Sequence, residues 1–147
     1  MEMNHTKAYY RVIFGDTDAM KIVYNANYLR FLRELGFPYA ELNEKYDLHF
    51  PLAESHVKYR KPAWYDDMLE IRCMVLELKN ASVTIGYEIL NRDTQELLVT
   101  GWTKHALVDG RMKPVALRKK VPELERAMKR FVEEGGTVHP GDSHKNG

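Results

Sequence analysis

An α+β domain is the fold class this chain predicts, on three observations. A strand-like run, YYRVIF, opens the sequence. A helical period of apolar residues follows it, and then four stretches with a period near two. A long helix set against one face of an antiparallel sheet satisfies that order.

The first strand is expected from about Lys7 to Phe14, where aromatic and β-branched residues crowd together. Gly15-Asp16-Thr17-Asp18 breaks the pattern as a turn. The helix is expected from about Ala26 to Lys45. Tyr28, Leu32, Leu35, Tyr39 and Leu42 recur at spacings of three and four and mark its buried face. Gly36 and Pro38 interrupt it, and Pro38 cannot donate a backbone hydrogen bond. A kink or short break is expected there.

After Pro51 the period changes. Val57 to Arg60 alternates up to Pro62, and Leu69, Ile71, Cys73 and Val75 share a face. Val83, Ile85, Tyr87 and Ile89 form another. Asn91-Arg92-Asp93-Thr94 turns into LLVTGWTKHALV, whose two parities are both apolar near its middle. That predicts a central strand buried on both faces. Asp109-Gly110 ends it. PELERAMKRFVEE reads as an amphipathic helix with Leu124, Met128, Phe131 and Val132 on one side.

Composition narrows the function. The 147 residues suit one domain with a core, and the balance of 44% apolar and 29% charged residues is that of a soluble globular protein. A net charge of +1 offers no basic field for nucleic acid. The single cysteine, Cys73, excludes an internal disulfide and argues against a Cys-based zinc site. No apolar stretch approaches the length of a membrane span, and the N-terminus lacks the apolar core of a signal peptide. A cytoplasmic protein is expected. No Gly-rich phosphate loop points to nucleotide hydrolysis.

The chemistry is concentrated in GDTDAMKIVYNANYLRF, residues 15 to 31. Asp16 and Asp18 stand on a loop ahead of the helix. A helix start offers free N–H groups and a partial positive charge, which can polarise a carbonyl and hold an oxyanion. A carboxylate beside it activates water or attacks directly. The same residues also suit a plain turn with an acidic helix cap.

This stretch resembles the signature of the hot-dog thioesterases related to 4-hydroxybenzoyl-CoA thioesterase and to the short-chain acyl-CoA thioesterase of the Tol–Pal gene cluster. The shared features are an acidic D-x-D, a small-residue turn, a Val-Tyr pair and a Tyr on the helix. PLAESHVKYRKPAWYDDMLEI resembles the family's second strand, its Pro-Ala corner and its Tyr-Asp-Asp approach to the third strand. DGRMKPVAL resembles the stretch after the last strand. The likeness spans roughly residues 8 to 118.

The resemblance implies a single hot-dog domain, a curved antiparallel sheet wrapped around one long central helix. The domain would cover residues 1–134 with the C-terminal helix, followed by a disordered polar tail over 135–147. It implies a homodimer with active sites at the interface, or a dimer of dimers, acting on acyl-CoA. No metal and no cofactor are needed, since coenzyme A is part of the substrate. The catalytic carboxylate falls on Asp18, as general base or nucleophile. The polarising N–H falls on the backbone of Asn25, where the Tol–Pal branch often carries His. Lys21 stands where Gly is frequent, so it narrows the site or supplies a charge. Asp16 braces the loop.

Tyr24 and Tyr28 pack, with phenols able to line an acyl pocket. Lys79, Ser82, Arg111 and Lys113 match the family's contacts to the coenzyme A phosphates. His56 and His105 sit in predicted strands without partners at metal-ligand spacing. His49-Phe50-Pro51 matches an active-site tripeptide of the acyl-carrier-protein dehydratases, but the Leu-Ala-Glu-Ser that follows departs from them, so the match is read as coincidence. Two rivals stay open: a thioesterase acting on acyl carrier protein, and a non-catalytic acyl-CoA-binding module.

Overall fold

The computed structural model of the protein describes residues 5–12 and 28–135. Strand β1 spans Thr6–Arg11. Helix α1 is described over 28–34 and helix α2 over Tyr39–Tyr46. Strands β2 (Leu52–Tyr59), β3 (Met68–Lys79), β4 (Ser82–Asn91) and β5 (Leu97–Ala106) follow. A four-residue helix α3 (Leu117–Lys120) leads into α4 (Pro122–Gly135). All pairings are antiparallel, and the sheet order is β1-β3-β4-β5-β2. This is the expected α+β arrangement.

The expected helix is two helices, and glycine makes the break. Gly36 has φ +98°, a left-handed conformation that costs residues with a Cβ. The Phe37 N–H donates to the Leu32 carbonyl at 2.9 Å and the Gly36 N–H to that of Arg33 at 2.9 Å. These two bonds are a Schellman ending, which satisfies carbonyls left over by α1. Pro38 then precedes the first turn of α2, where its missing N–H costs nothing.

The core lies between the sheet and the helices. Leu69, Ile71, Cys73 and Val75 of β3 and Val83, Ile85, Tyr87 and Ile89 of β4 are buried on one face. Phe31 and Leu32 of α1 are fully buried. Leu124 and Met128 of α4 close the same cluster, and the Phe131 ring meets Phe31 edge-on at 5.4 Å. Each fully buried Leu or Phe contributes about 1.5–3 kcal/mol relative to exposure.

Three strand expectations are revised. β2 begins at Leu52 rather than Val57, because it is an edge strand exposed at every residue but Val57 and so carries no apolar period. β3 continues past Val75 to Lys79 through a bulge between Val75 and Glu77, which breaks the alternation. β5 is interior, and Val99, Gly101, Thr103 and His105 on one parity are fully covered; on the other only Leu98 is, while Thr100, Trp102 and Lys104 are half-buried. Among the described residues no helix is long and apolar enough to cross a membrane.

Candidate functional site

Asp16, Asp18, Lys21, Tyr24 and Asn25 lie outside the described residues. The described part of the site is what surrounds Tyr28, the first described residue of α1, and what carries charge at the same end of the sheet.

Tyr28 is half-buried over β5. Its ring sits 4.3 Å from the His105 ring at 38° and meets Tyr39 edge-on at 6.0 Å. Burial, helped by Tyr39, pushes the phenol above its ordinary pKa. It stays protonated at neutral pH, able to donate a hydrogen bond and not to act as a base.

His105 is 1% exposed and fully bonded. Its Nδ1 lies 3.0 Å from the Phe50 carbonyl, which only accepts, so Nδ1 carries the proton. Its Nε2 lies 2.9 Å from Thr103 Oγ1, and Thr103 Oγ1 lies 2.8 Å from the Tyr87 hydroxyl. With a neutral ring the order is fixed: Tyr87 donates to Thr103, and Thr103 donates to Nε2. Burial lowers the His105 pKa, and the Phe50 carbonyl only partly offsets that.

A depressed folded pKa means the unfolded chain takes up a proton first as pH falls. Stability contributed by neutral His105 is complete above about pH 6.5 and is lost as pH falls below that value. The wild-type urea midpoint should therefore drop between pH 7.5 and pH 5.5, with a slope from this residue of at most about 1.4 kcal/mol per pH unit. His105→Asn should flatten that part of the curve. Equal slopes in both proteins would show that His105 does not titrate this way.

Cys73 faces α1, with Arg30 Nη2 at 3.3 Å from its sulfur. Burial pushes the thiol up to about 12, despite the Arg30 charge. A buried thiol at that pKa is not a nucleophile.

At the sheet end where β3 turns into β4, a cleft of about 540 Å³ opens between the hairpin, α3 and α4. Leu78, Leu117 and Val132 give it apolar walls, and Lys79, Arg118 and Lys129 ring it with one carboxylate, Glu125. No ion pair with a described residue neutralises Arg118 or Lys129, whereas Lys79 lies a loose 3.9 Å from Glu77. Leu78 pairs with Val83, which in turn pairs with His105. The cleft and the His105–Tyr28 contact thus lie on the same crosswise row of the sheet.

The structure brings Lys79 to this cleft, and Ser82 pairs with Lys79 across the hairpin. It does not bring Arg111 or Lys113 there. They sit on an exposed turn whose backbone N–H groups both donate to Asp109 Oδ1, at 2.8 and 3.0 Å. Arg118 and Lys129, which also line the cleft, were not singled out by any motif in the sequence. His56 stacks on Trp102 at 5.9 Å. His49 bonds Asp47 at 3.0 Å beside the buried Phe50. Among the described residues no group of His, Cys, Asp and Glu could hold a metal.

A family model described as the thioesterase-like superfamily matches residues 12–132. The acyl-CoA thioesterase YbgC of Haemophilus influenzae is 37% identical over 120 residues, 76% of this chain and 87% of its own. The acyl-CoA thioester hydrolase YbgC of Escherichia coli O157:H7 is 32% identical over 120 residues, 76% and 88% of the two chains. Among solved structures, a DHNA-CoA thioesterase from Staphylococcus aureus matches with TM-score 0.77 over 91% of this chain and 96% of that one. At 22% identity that likeness concerns the fold. A gentisyl-coenzyme A thioesterase matches with TM-score 0.68 at 26% identity, over 80% and 99% of the chains.

Proposed function

The chain belongs to the thioesterase-like superfamily, with the hot-dog fold, and from that premise we propose that it hydrolyses acyl-CoA thioesters to the free acid and coenzyme A. The observation that carries the reading is the family match over residues 12–132, which contains the DTD loop. In this reaction water, or first Asp18, adds to the thioester carbonyl. The backbone N–H of Asn25 holds the oxyanion. The C–S bond then breaks and coenzyme A leaves, its thiolate taking up the proton that Asp18 removed from water. Where Asp18 itself attacked, water then hydrolyses the Asp18–acyl anhydride to release the acid and restore the carboxylate. No cofactor takes part beyond the coenzyme A of the substrate, and the cytoplasm is where such substrates and a reduced Cys73 coexist.

The cationic cleft supports a substrate bearing several phosphates. Lys79, Arg118 and Lys129 would attract it, while the apolar walls suit its organic part. A screen of short, long and aromatic acyl-CoAs should find turnover, and no turnover on any would sink the reading. Turnover on acyl carrier protein alone would move the substrate to that carrier. In the same assay Arg118→Glu should raise KM about tenfold at low salt, less at high salt, with kcat near that of the wild type. An unchanged KM would remove the cleft from the substrate path.

Self-association belongs to the same reading. Among the described residues β2 is an edge strand, and it exposes Leu52 at 57% and Tyr59 at 66%. Long open edges of this kind are normally covered. Pairing with a second copy would cover it, alone or within a dimer of dimers. Sedimentation at micromolar concentration should show no folded monomer; an active monomer would overturn this part.

A further inference from the structure

The described helices bury their apolar residues on one face of the sheet. Phe31, Leu42 and Leu124 share a core with Ile71, Cys73, Ile85 and Tyr87. Side chains alternate along a strand, so Arg72 and Met74 of β3 and Thr84, Gly86 and Glu88 of β4 belong to the opposite face. An apolar row crosses the middle of that face. Met74 pairs with Gly86, Gly86 with Trp102, and Trp102 with His56. The Trp102 and His56 rings stack at 15°. Met74 is 5% exposed yet stands outside the core that the helices cover. Gly86 keeps the row flat, because a Cβ there would meet the Leu76 side chain at 2.8 Å. Charge flanks the row on both sides. Lys58, Thr100, Glu88 and Arg72 follow one another across the strands on one side, and Glu54, Lys104, Thr84 and Glu77 on the other.

We infer that this face stacks on the same face of a second copy, about a two-fold axis that runs along the apolar row. Such an axis sets each strand against itself and exchanges the two flanks. Lys58 then meets the partner subunit's Glu54, and Arg72 meets the partner subunit's Glu77. Glu88 meets the neutral hydroxyl of the partner subunit's Thr84. The charges choose this axis over the other closed arrangement. An axis along β4 would exchange β3 with β5 and set Glu88 against its own equivalent, a like-charge contact that opposes association. Trp102 lies on the favoured axis, where an aromatic anchor contributes most. The area suffices. A face five strands wide and about seven residues deep is roughly 550 Å² on each copy. Two copies would bury about 1,100 Å², enough for the ~1,000 Å² of a specific interface. The stack leaves the β2 edge free, so it is a contact separate from edge pairing.

The test reads the mass of the assembly by sedimentation, and cross-linking, on the full chain. Thr84→Glu puts a carboxylate against the partner subunit's Glu88 and should halve the mass at micromolar concentration. Thr84→Arg puts a cation there and should hold the wild-type mass to concentrations about tenfold lower. Thr84 is half-buried on the sheet face, and circular dichroism establishes that both variants are folded. Opposite effects from one position are not what a folding defect produces. On the other axis Thr84 would face itself, and both variants would weaken the assembly. In the Thr84→Arg background, Trp102→Cys should join to its own equivalent through a short bismaleimide, and Glu88→Cys should not. Cys73 is buried and does not compete. Trp102 stands on an interior strand, which edge pairing through β2 cannot bring against its equivalent. A half-mass Trp102→Cys particle would itself show that the ring holds the stack. The inference is overturned if both Thr84 variants keep the wild-type mass or both lower it, or if a full-mass Trp102→Cys particle does not cross-link; the face would then be left to a different protein. Mass and cross-linking are read without substrate, so their failure leaves the thioesterase reading standing.

Discussion

Asp18→Asn should lower turnover of acyl-CoA by about 10²-fold or more, with the fold intact. The substitution exchanges one oxygen for an NH₂ of nearly the same size. It leaves the shape of the loop and removes the negative charge. Either role of Asp18 needs that charge: a general base must take a proton from water, and a nucleophile must offer a lone pair to the carbonyl. An amide does neither at neutral pH. The described residues offer no substitute nucleophile in the buried cysteine, since Cys73 keeps its proton up to about 12. Asp16→Asn should hurt less, because bracing a loop through hydrogen bonds survives in part with an amide. Circular dichroism and sedimentation establish that both variants are folded before rates are compared. Wild-type turnover by purified Asp18→Asn would remove Asp18 from the chemistry, and a larger loss in Asp16→Asn would transfer the role to Asp16.

The sequence made β4 legible almost to the residue, because Val83, Ile85, Tyr87 and Ile89 are buried on one face and separated by half-exposed or small residues. The same logic failed at the N-terminal half of β2. Leu52-Ala-Glu-Ser-His pairs with β5 through its backbone while all five side chains face solvent, so nothing in their polarity reports the strand. A bulge hid the end of β3. The break between α1 and α2 was marked by both Gly36 and Pro38. Only geometry assigns the turn to Gly36 and the new start to Pro38.

The site divides in the same way. The DTD motif and Asn25 were proposed from consecutive residues, and they lie outside the described residues. The cationic cleft could not be read that way, because Lys79, Arg118 and Lys129 come from a hairpin and two helices that meet only in three dimensions. Thr103 and His105 stand two apart on β5, a spacing that places them on one face, and this was a usable signal. Tyr87 joins them through the β4–β5 register, and Phe50 through the segment that runs into β2. Neither connection is visible in the chain as a string.

Asn25→Ala and Asn25→Pro should part company, with most activity kept in the first and about 10²-fold or more lost in the second. The reasoning starts from what a helix start supplies. Its first N–H groups have no partner within the helix and point along the axis, so they are held by the fold rather than by a side chain. An oxyanion donor of this kind is indifferent to side-chain identity. On this proposed mechanism Asn can stand where the Tol–Pal branch often carries His. Asn25→Ala removes only a capping side chain, a change that typically costs about 1 kcal/mol of stability. Asn25→Pro removes the N–H itself. Proline is tolerated in a first helical turn, and the contacts of Tyr28 with His105 and Tyr39 anchor the following residues independently of position 25. Folded Asn25→Pro should therefore bind acyl-CoA with nearly unchanged affinity and turn it over slowly. If folded Asn25→Pro stays active while folded Asn25→Ala is dead, the side chain is the catalytic group and the helix start is not the oxyanion donor.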